Sequence, residues 1–235
     1  MGISPKSKQP RSFLKYCNIS IYKNMAYQFK VTLQDIEPPI WRRIVVPKHV
    51  HLADFGYAVL DAMGWCATCQ WRVHINKSIM VPDYYETMCE ELFFHFIKDY
   101  LDCEIEVEYA FDEDLDEGWK GAWFHTVEFE GEVDPPEGFR EVVSMCIDGA
   151  RSCPPDFVKY AKGYHEFLEE IADKDNPDRL AIIHDVCVDW ETRDDFDPEE
   201  FDLKKANKIR PARPLHMLYD WVDRYKPWLK SLGIE

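Results

Sequence analysis

The chain has 235 residues and carries 28 Lys and Arg against 44 Asp and Glu, a formal charge of −16. It is long enough to bury one sizeable core, and its charge excludes general duplex nucleic-acid binding, which depends on neutralising phosphates. No apolar run reaches the roughly 18 residues of a membrane span and the N-terminus lacks an apolar signal core, so composition indicates a soluble, cytoplasmic protein with no membrane partner.

Residues 1–24 hold five basic side chains, Lys6, Lys8, Arg11, Lys15 and Lys23, and no acidic one. The rest of the chain therefore has 23 basic against 44 acidic residues, and 1–24 read as a mobile basic leader. Beyond it the first element is a strand. Tyr27, Phe29, Val31 and Leu33 alternate with Gln28, Lys30 and Thr32, the two-residue period of a half-buried strand. In Asp35 to Pro39 the paired prolines force a turn, and Ile40 to Val46 follows as a second strand. Its phase puts Arg42 with Ile40, Ile44 and Val46, where a guanidinium without partners would be costly. Arg42 is thus either a structural Arg paired to a carboxylate or an anion-binding Arg in a cleft with Trp41 and Arg43. From Leu52 the spacing becomes helical through Phe55, Val59 and Ala62, with Asp54 at the positive end and Gly64 as terminator.

Trp71, Val73 and Ile75 then alternate with Gln70, Arg72 and His74 as a third strand, with His74 on the polar phase as a solvated side chain. Met88, Leu92, Phe96, Ile97 and Tyr100 predict a helix within Asp83 to Asp102. Glu104 to Tyr109, and the shared phase of Trp123, His125, Val127 and Phe129, predict two more strands whose Glu residues form a wet, acidic face. Asp112 to Gly118 lies between them. It lacks the Gly and Glu that a calcium loop needs at its sixth and twelfth positions, where Glu117 and Trp123 stand, and reads as an acidic hairpin loop. Farther on, Tyr164 to Ala172, Leu180 to Trp190 and Pro198 to Ile209 carry helical spacing. Leu215, Leu218, Val222, Tyr225 and Leu229 form an amphipathic C-terminal extension beside Trp221 and Trp228.

Four motifs stand in order: PPIWRRI at 38–44, AMGW at 62–65, the loop Cys146-Ile-Asp-Gly-Ala-Arg-Ser-Cys153-Pro-Pro-Asp156, and FDPEEFDLKKAN at 196–207. In these the chain resembles the plasmid pRiA4b ORF-3-like family, also called insertion-element passenger proteins, over about Tyr27 to Ile209. The resemblance implies a prokaryotic, cytoplasmic accessory protein of plasmids or mobile elements. It also marks departures. Relatives follow MGW with His-Leu-His, where this chain has Cys69, Gln70 and Trp71. Gly121 falls where they carry a His, and Val158 replaces a third Cys.

The eight cysteines are scattered through helical and strand-like segments and read as reduced thiols. Cys66-Ala-Thr-Cys69 has the spacing of a zinc knuckle, which Cys146 and Cys153 would complete if the loops meet. No cofactor is predicted otherwise. The fold class is α+β: a mixed sheet with helices on one face, β-grasp-like at its N-terminus, and a helical C-terminal third. The domain plan is a leader (1–24), one domain (25–210) and a helical extension (211–235). The function read from this pattern is a non-enzymatic module that binds another protein. The alternative is a metal-dependent or hydrolytic enzyme with its cleft between Trp41, Arg42, Arg43, Trp65, Trp119, Arg151 and Asp156.

Overall fold

The alternating segment at the N-terminus folds as read. β1 (Ala26–Leu33) pairs antiparallel with β2 (Trp41–Pro47), with Phe29 opposite Ile44 and Val31 opposite Arg42. This hairpin belongs to a computed structural model that describes residues 25–65, 70–80, 95–110, 122–139, 144–155, 157–186 and 195–207. The leader 1–24, Cys66, Cys69, the acidic loop Asp112 to Gly118, Trp119, Asp156 and the extension 211–235 lie outside the described residues.

The remaining elements are α1 (Leu52–Met63), β3 (Gln70–Ile75), β4 (Ser78–Met80), β5 (Ile105–Ala110), β6 (Trp123–Val133), β7 (Met145–Ala150), α2 (Tyr160–Glu170), α3 (Arg179–Val186) and α4 (Leu203–Ala206). The strands form one seven-stranded sheet in the order β4-β3-β5-β6-β1-β2-β7. Every described pairing is antiparallel, which corrects the mixed, β-grasp-like sheet expected from the sequence. The α+β class holds, and the core lies on one face of the sheet.

That inner face is set by register. Phe29 aligns with Phe129, Val31 with Val127 and Leu33 with His125, and on the far side of β6 Val107 aligns with His125 and Tyr109 with Trp123. The chain of pairs runs on to Trp71 and Val73 of β3. α1 roofs this surface through Leu52, Phe55, Val59 and Ala62, all buried, and the Phe29 and Phe55 rings meet at 4.9 Å. Leu52, Phe55 and Val59 each contribute roughly 1.5–3 kcal/mol by leaving water. Gly64 ends the helix in the left-handed region (φ 88°), its N–H reaching the Leu60 and Asp61 carbonyls, a conformation that favours Gly.

Two expected helices differ in their described parts. Of Asp83 to Asp102, the described part from His95 onward is not α-helical. Leu52 N–H donates to the His95 carbonyl and Ile97 N–H to the Val50 carbonyl, and only Ile97–Asp99 form a 3-10 turn. Pairing with residues 50–52 overrides the local spacing. Pro198 to Ile209 contains four helical residues, Leu203–Ala206, and its N-cap is Asp202, which accepts from the Lys204 and Lys205 N–H groups. Asp197-Pro198 makes a turn because Ser152 draws it into an extended strap. Ser152 N–H donates to the Pro198 carbonyl, and its hydroxyl donates to those of Asp197 and Glu200. Of the helix expected from Leu180 to Trp190, the described part is helical, Arg179–Val186, and 187–194 lie outside the described residues.

Candidate functional site

Alternation along β2 sends consecutive residues of the PPIWRRI motif to opposite sides of the sheet. Arg42 enters the core, 4% exposed, while Trp41 and Arg43 stand half-buried on the outer face. The expected cleft is therefore divided by the sheet: Arg42, Trp65 and Arg151 lie on one side and Trp41 and Arg43 on the other.

On the inner side all five guanidinium N–H donors of Arg42 are used. Nε donates to the Ala62 carbonyl (3.1 Å), Nη1 to those of Trp41 (2.8 Å) and Ala150 (2.9 Å), and Nη2 to the Arg151 carbonyl (2.9 Å) and Cys153 Sγ (3.1 Å). The Phe201 ring packs 4.6 Å from its Cζ. Gly149 is required here, because a Cβ would sit 2.7 Å from Phe201 and 2.9 Å from Arg42 Cδ. The partner the sequence demanded for Arg42 is thus a set of carbonyls and a thiol rather than a carboxylate. With every donor engaged, this Arg holds α1, β7 and the 150–153 loop together and has no donor left for an anion.

The same loop is sewn down from other directions. Arg151, held at φ 66°, bonds Glu199 and the Pro38 carbonyl, Trp65 Nε1 donates to the Pro154 carbonyl (2.8 Å), and Trp123 Nε1 donates to that of Val158 (3.0 Å). Val158 is a buried apolar contact. Beneath lies an aromatic cluster in which Trp65 stacks on Tyr109 at 4.7 Å and meets His125 edge-on at 5.1 Å. His125 is fully buried and donates from Nδ1 to the Val107 carbonyl (2.8 Å), so Nε2 keeps its lone pair. Burial drives its pKa down to about 4, partly opposed by that bond, so the ring is neutral at pH 7. Burial also pushes the Tyr164 phenol well above its ordinary value.

Cys146 and Cys153 flank this Arg. Cys146 is buried, its thiol donates weakly to the Asp148 carbonyl (3.4 Å), and burial raises its pKa to about 11. Cys153 is half-buried, with Met63 Sδ 3.3 Å from its sulfur. Among the described residues no three His, Cys, Asp or Glu side chains gather as metal ligands. The guanidinium against Cys153 Sγ puts positive charge where a zinc ion would bring its own.

The outer face is differently built. Arg43 grips Glu130 with two nitrogens (2.7 and 2.9 Å) and Asp148 with the third (2.9 Å), holding the Glu130 carboxyl below the usual carboxylate range. A bulge in β6 opposite Gln28 and Phe29, allowed by Gly131 at φ 130°, brings Glu130 to this position, where Gln28 also donates to it (2.7 Å). Lys30 and Arg43 lie over the Trp41 ring at 5.6 and 5.1 Å. Farther along, the expected solvated His74 is instead half-buried and 2.7 Å from Glu108, a carboxylate only 3% exposed, so this part of the acidic face is not wet. Phase placed both residues on the polar side, but nothing in spacing signals that a polar side is covered.

A model of the plasmid pRiA4b ORF-3-like protein family matches residues 25–205. The chain is 24% identical over 184 residues to the uncharacterized protein y4hQ of Sinorhizobium fredii, spanning 77% of this chain and 88% of that one. Among solved structures it is similar to MM3350 of Methanosarcina mazei Go1, a protein of unknown function, at a TM-score of 0.59 and 23% identity, covering 77% of this chain and 97% of that one. At that identity the likeness concerns the fold.

Proposed function

The chain belongs to the plasmid pRiA4b ORF-3-like family, and on that premise we propose that it is a non-enzymatic accessory module that binds another protein through the outer sheet face around Trp41. One observation carries this reading: Trp41 is a half-buried indole bracketed by Lys30 and Arg43, with Arg43 itself fixed by Glu130 and Asp148. A large aromatic held still in a charged frame loses little entropy on binding and supplies the buried anchor that interface hot spots are made of. The polar groups of the PPIWRRI and Cys146 loop motifs on the inner side are spent on the fold, which argues against the hydrolytic alternative. β6 turns Glu128 and Glu130 to the outer face, so the partner expected is one with a basic surface, drawn by long-range charge.

The test is capture from lysate with wild type, Trp41→Ala, Arg43→Glu and a far-side control, Leu180→Ser. One protein recovered by wild type and the control, lost from both outer-face variants and released by salt, is the expected result. Equal recovery by all four chains would overturn the reading.

A further inference from the structure

We propose that Asn207 is a guard on the edge of the sheet: its side-chain amide stands where a further strand would pair and keeps β7 closed to a second copy of this chain. β7 is an end strand, and an end strand offers unpaired N–H and C=O groups to any chain that can lie beside it. Apart from its bulge against β2, Met145–Ala150 has few of the usual protections, with no Pro or Lys and a single charge at Asp148. The opposite end strand, β4, is only three residues long and gives another chain little to pair with.

The cover on β7 comes from the segment 195–207, which runs along it in the opposite direction. Ser152 N–H donates to the Pro198 carbonyl at one end, Cys146 meets Asn207 at the other, and the Phe201 ring packs against Gly149 between them. At Cys146 the contact copies a strand pair. Its N–H donates to Asn207 Oδ1 (2.9 Å) and its carbonyl accepts from Nδ2 (2.8 Å), the exchange of two bonds that facing antiparallel residues make. Nδ2 also donates to the Leu203 carbonyl (2.9 Å), which fixes the amide so that its oxygen faces the Cys146 N–H.

This guard is held lightly. No residue of α4 is buried, and Leu203 and Asn207 are exposed, whereas the other end of the segment is anchored by buried Phe196. The last turn can therefore leave β7 without disturbing the core. With the amide gone, Cys146 turns a free N–H and C=O outward, and a second copy related by a two-fold axis offers the same pair in antiparallel register. The net charge of −16 on each copy opposes that approach at low salt.

The test compares the full chain with Asn207→Ala and Asp202→Ala, the second removing the cap that fixes the first turn of α4 while leaving the amide in place. At a dilution where every chain is monomeric, exchange of the Cys146 amide hydrogen is expected to be about tenfold faster in Asn207→Ala, with the melting temperature nearly unchanged, and to quicken by a smaller factor in Asp202→Ala. In sedimentation velocity at higher concentration, wild type is expected to stay monomeric and Asn207→Ala to form a dimer that grows as salt is added. Salt acts in the opposite sense on the outer-face partner, so the two readings fail separately. A monomeric Asn207→Ala at every salt concentration, equal dimerisation of wild type, or an unchanged exchange rate at Cys146 would each overturn the proposal. If Asn207→Ala does not fold, Asp202→Ala decides by the same two measurements.

Discussion

The two faces of the sheet spend the same residue type in opposite ways. Arg42 and Arg43 are adjacent, Arg42 bonded through all five N–H donors and Arg43 through one bond from each of its three nitrogens. Arg42 points into the core and bonds buried backbone carbonyls, whereas Arg43 points outward and bonds carboxylates that water would serve nearly as well. A buried donor set is expensive to remove because its acceptors are left dry, and an exposed one is cheap because they are not. The inner bonds of Arg42 therefore carry stability, whereas the outer ion pairs of Arg43 contribute little to it.

The sharpest way to break this contrast is to remove each Arg in turn. Arg42→Leu takes this donor from the Ala62, Ala150 and Arg151 carbonyls; at about 1–3 kcal/mol for each buried group left unsatisfied, a loss above about 4 kcal/mol, or failure to fold, is expected in urea unfolding. A loss under about 1 kcal/mol would show that water reaches the lock and that the two faces are alike.

His125 tests the dryness of the inner face by pH. Its folded pKa of about 4 lies below the ordinary value of 6.5. Above pH 6.5 the ring is neutral in both states and stability is complete. Between 6.5 and about 4 the unfolded chain takes up a proton that the core refuses, and stability falls by an amount on the order of 3 kcal/mol. His125→Leu should flatten that stretch of the profile. An unchanged slope would mean that other groups set the acid limit.

Gly56→Ala probes how closely α1 lies on β3. A Cβ there would stand 2.1 Å from Cζ3 of Trp71, an indole 1% exposed that packs against Tyr57 and cannot swing aside. Better helix propensity, about 1 kcal/mol, is outweighed by overpacking, and a net loss of about 1–2 kcal/mol in thermal unfolding is expected.

These residues also show where sequence stops informing. The β1–β2 hairpin, α1 and its Gly64 cap were legible because alternation, helical spacing and a left-handed Gly are local signals. The inward phase of Arg42 was legible for the same reason, but its acceptors at 62, 150, 151 and 153 are joined by topology alone. Glu108 and His74 were correctly given to the polar phase, yet their burial depends on the third dimension. The segment from His95 failed as a helix because residues 50–52 offered it strand-like pairing, and Asp197-Pro198 failed as a helix start because Ser152 took up the carbonyls.

The smallest expected effect on stability belongs to the residue with the largest expected effect on recognition. Arg43 is 27% exposed at its side chain, and Glu130 and Asp148 are 24% and 54% exposed. Its ion pairs are screened and regain water when broken, so Arg43→Ala should lower stability by no more than about 1 kcal/mol. The same change removes one of two cations from the Trp41 ring and frees Glu130 and Asp148 to move. If the outer face is an interface, affinity falls through lost preorganisation while the melting temperature barely shifts, and the lost affinity should shrink as salt rises. A matched fall in both quantities would assign Arg43 to the fold, and the division between the two faces would no longer hold.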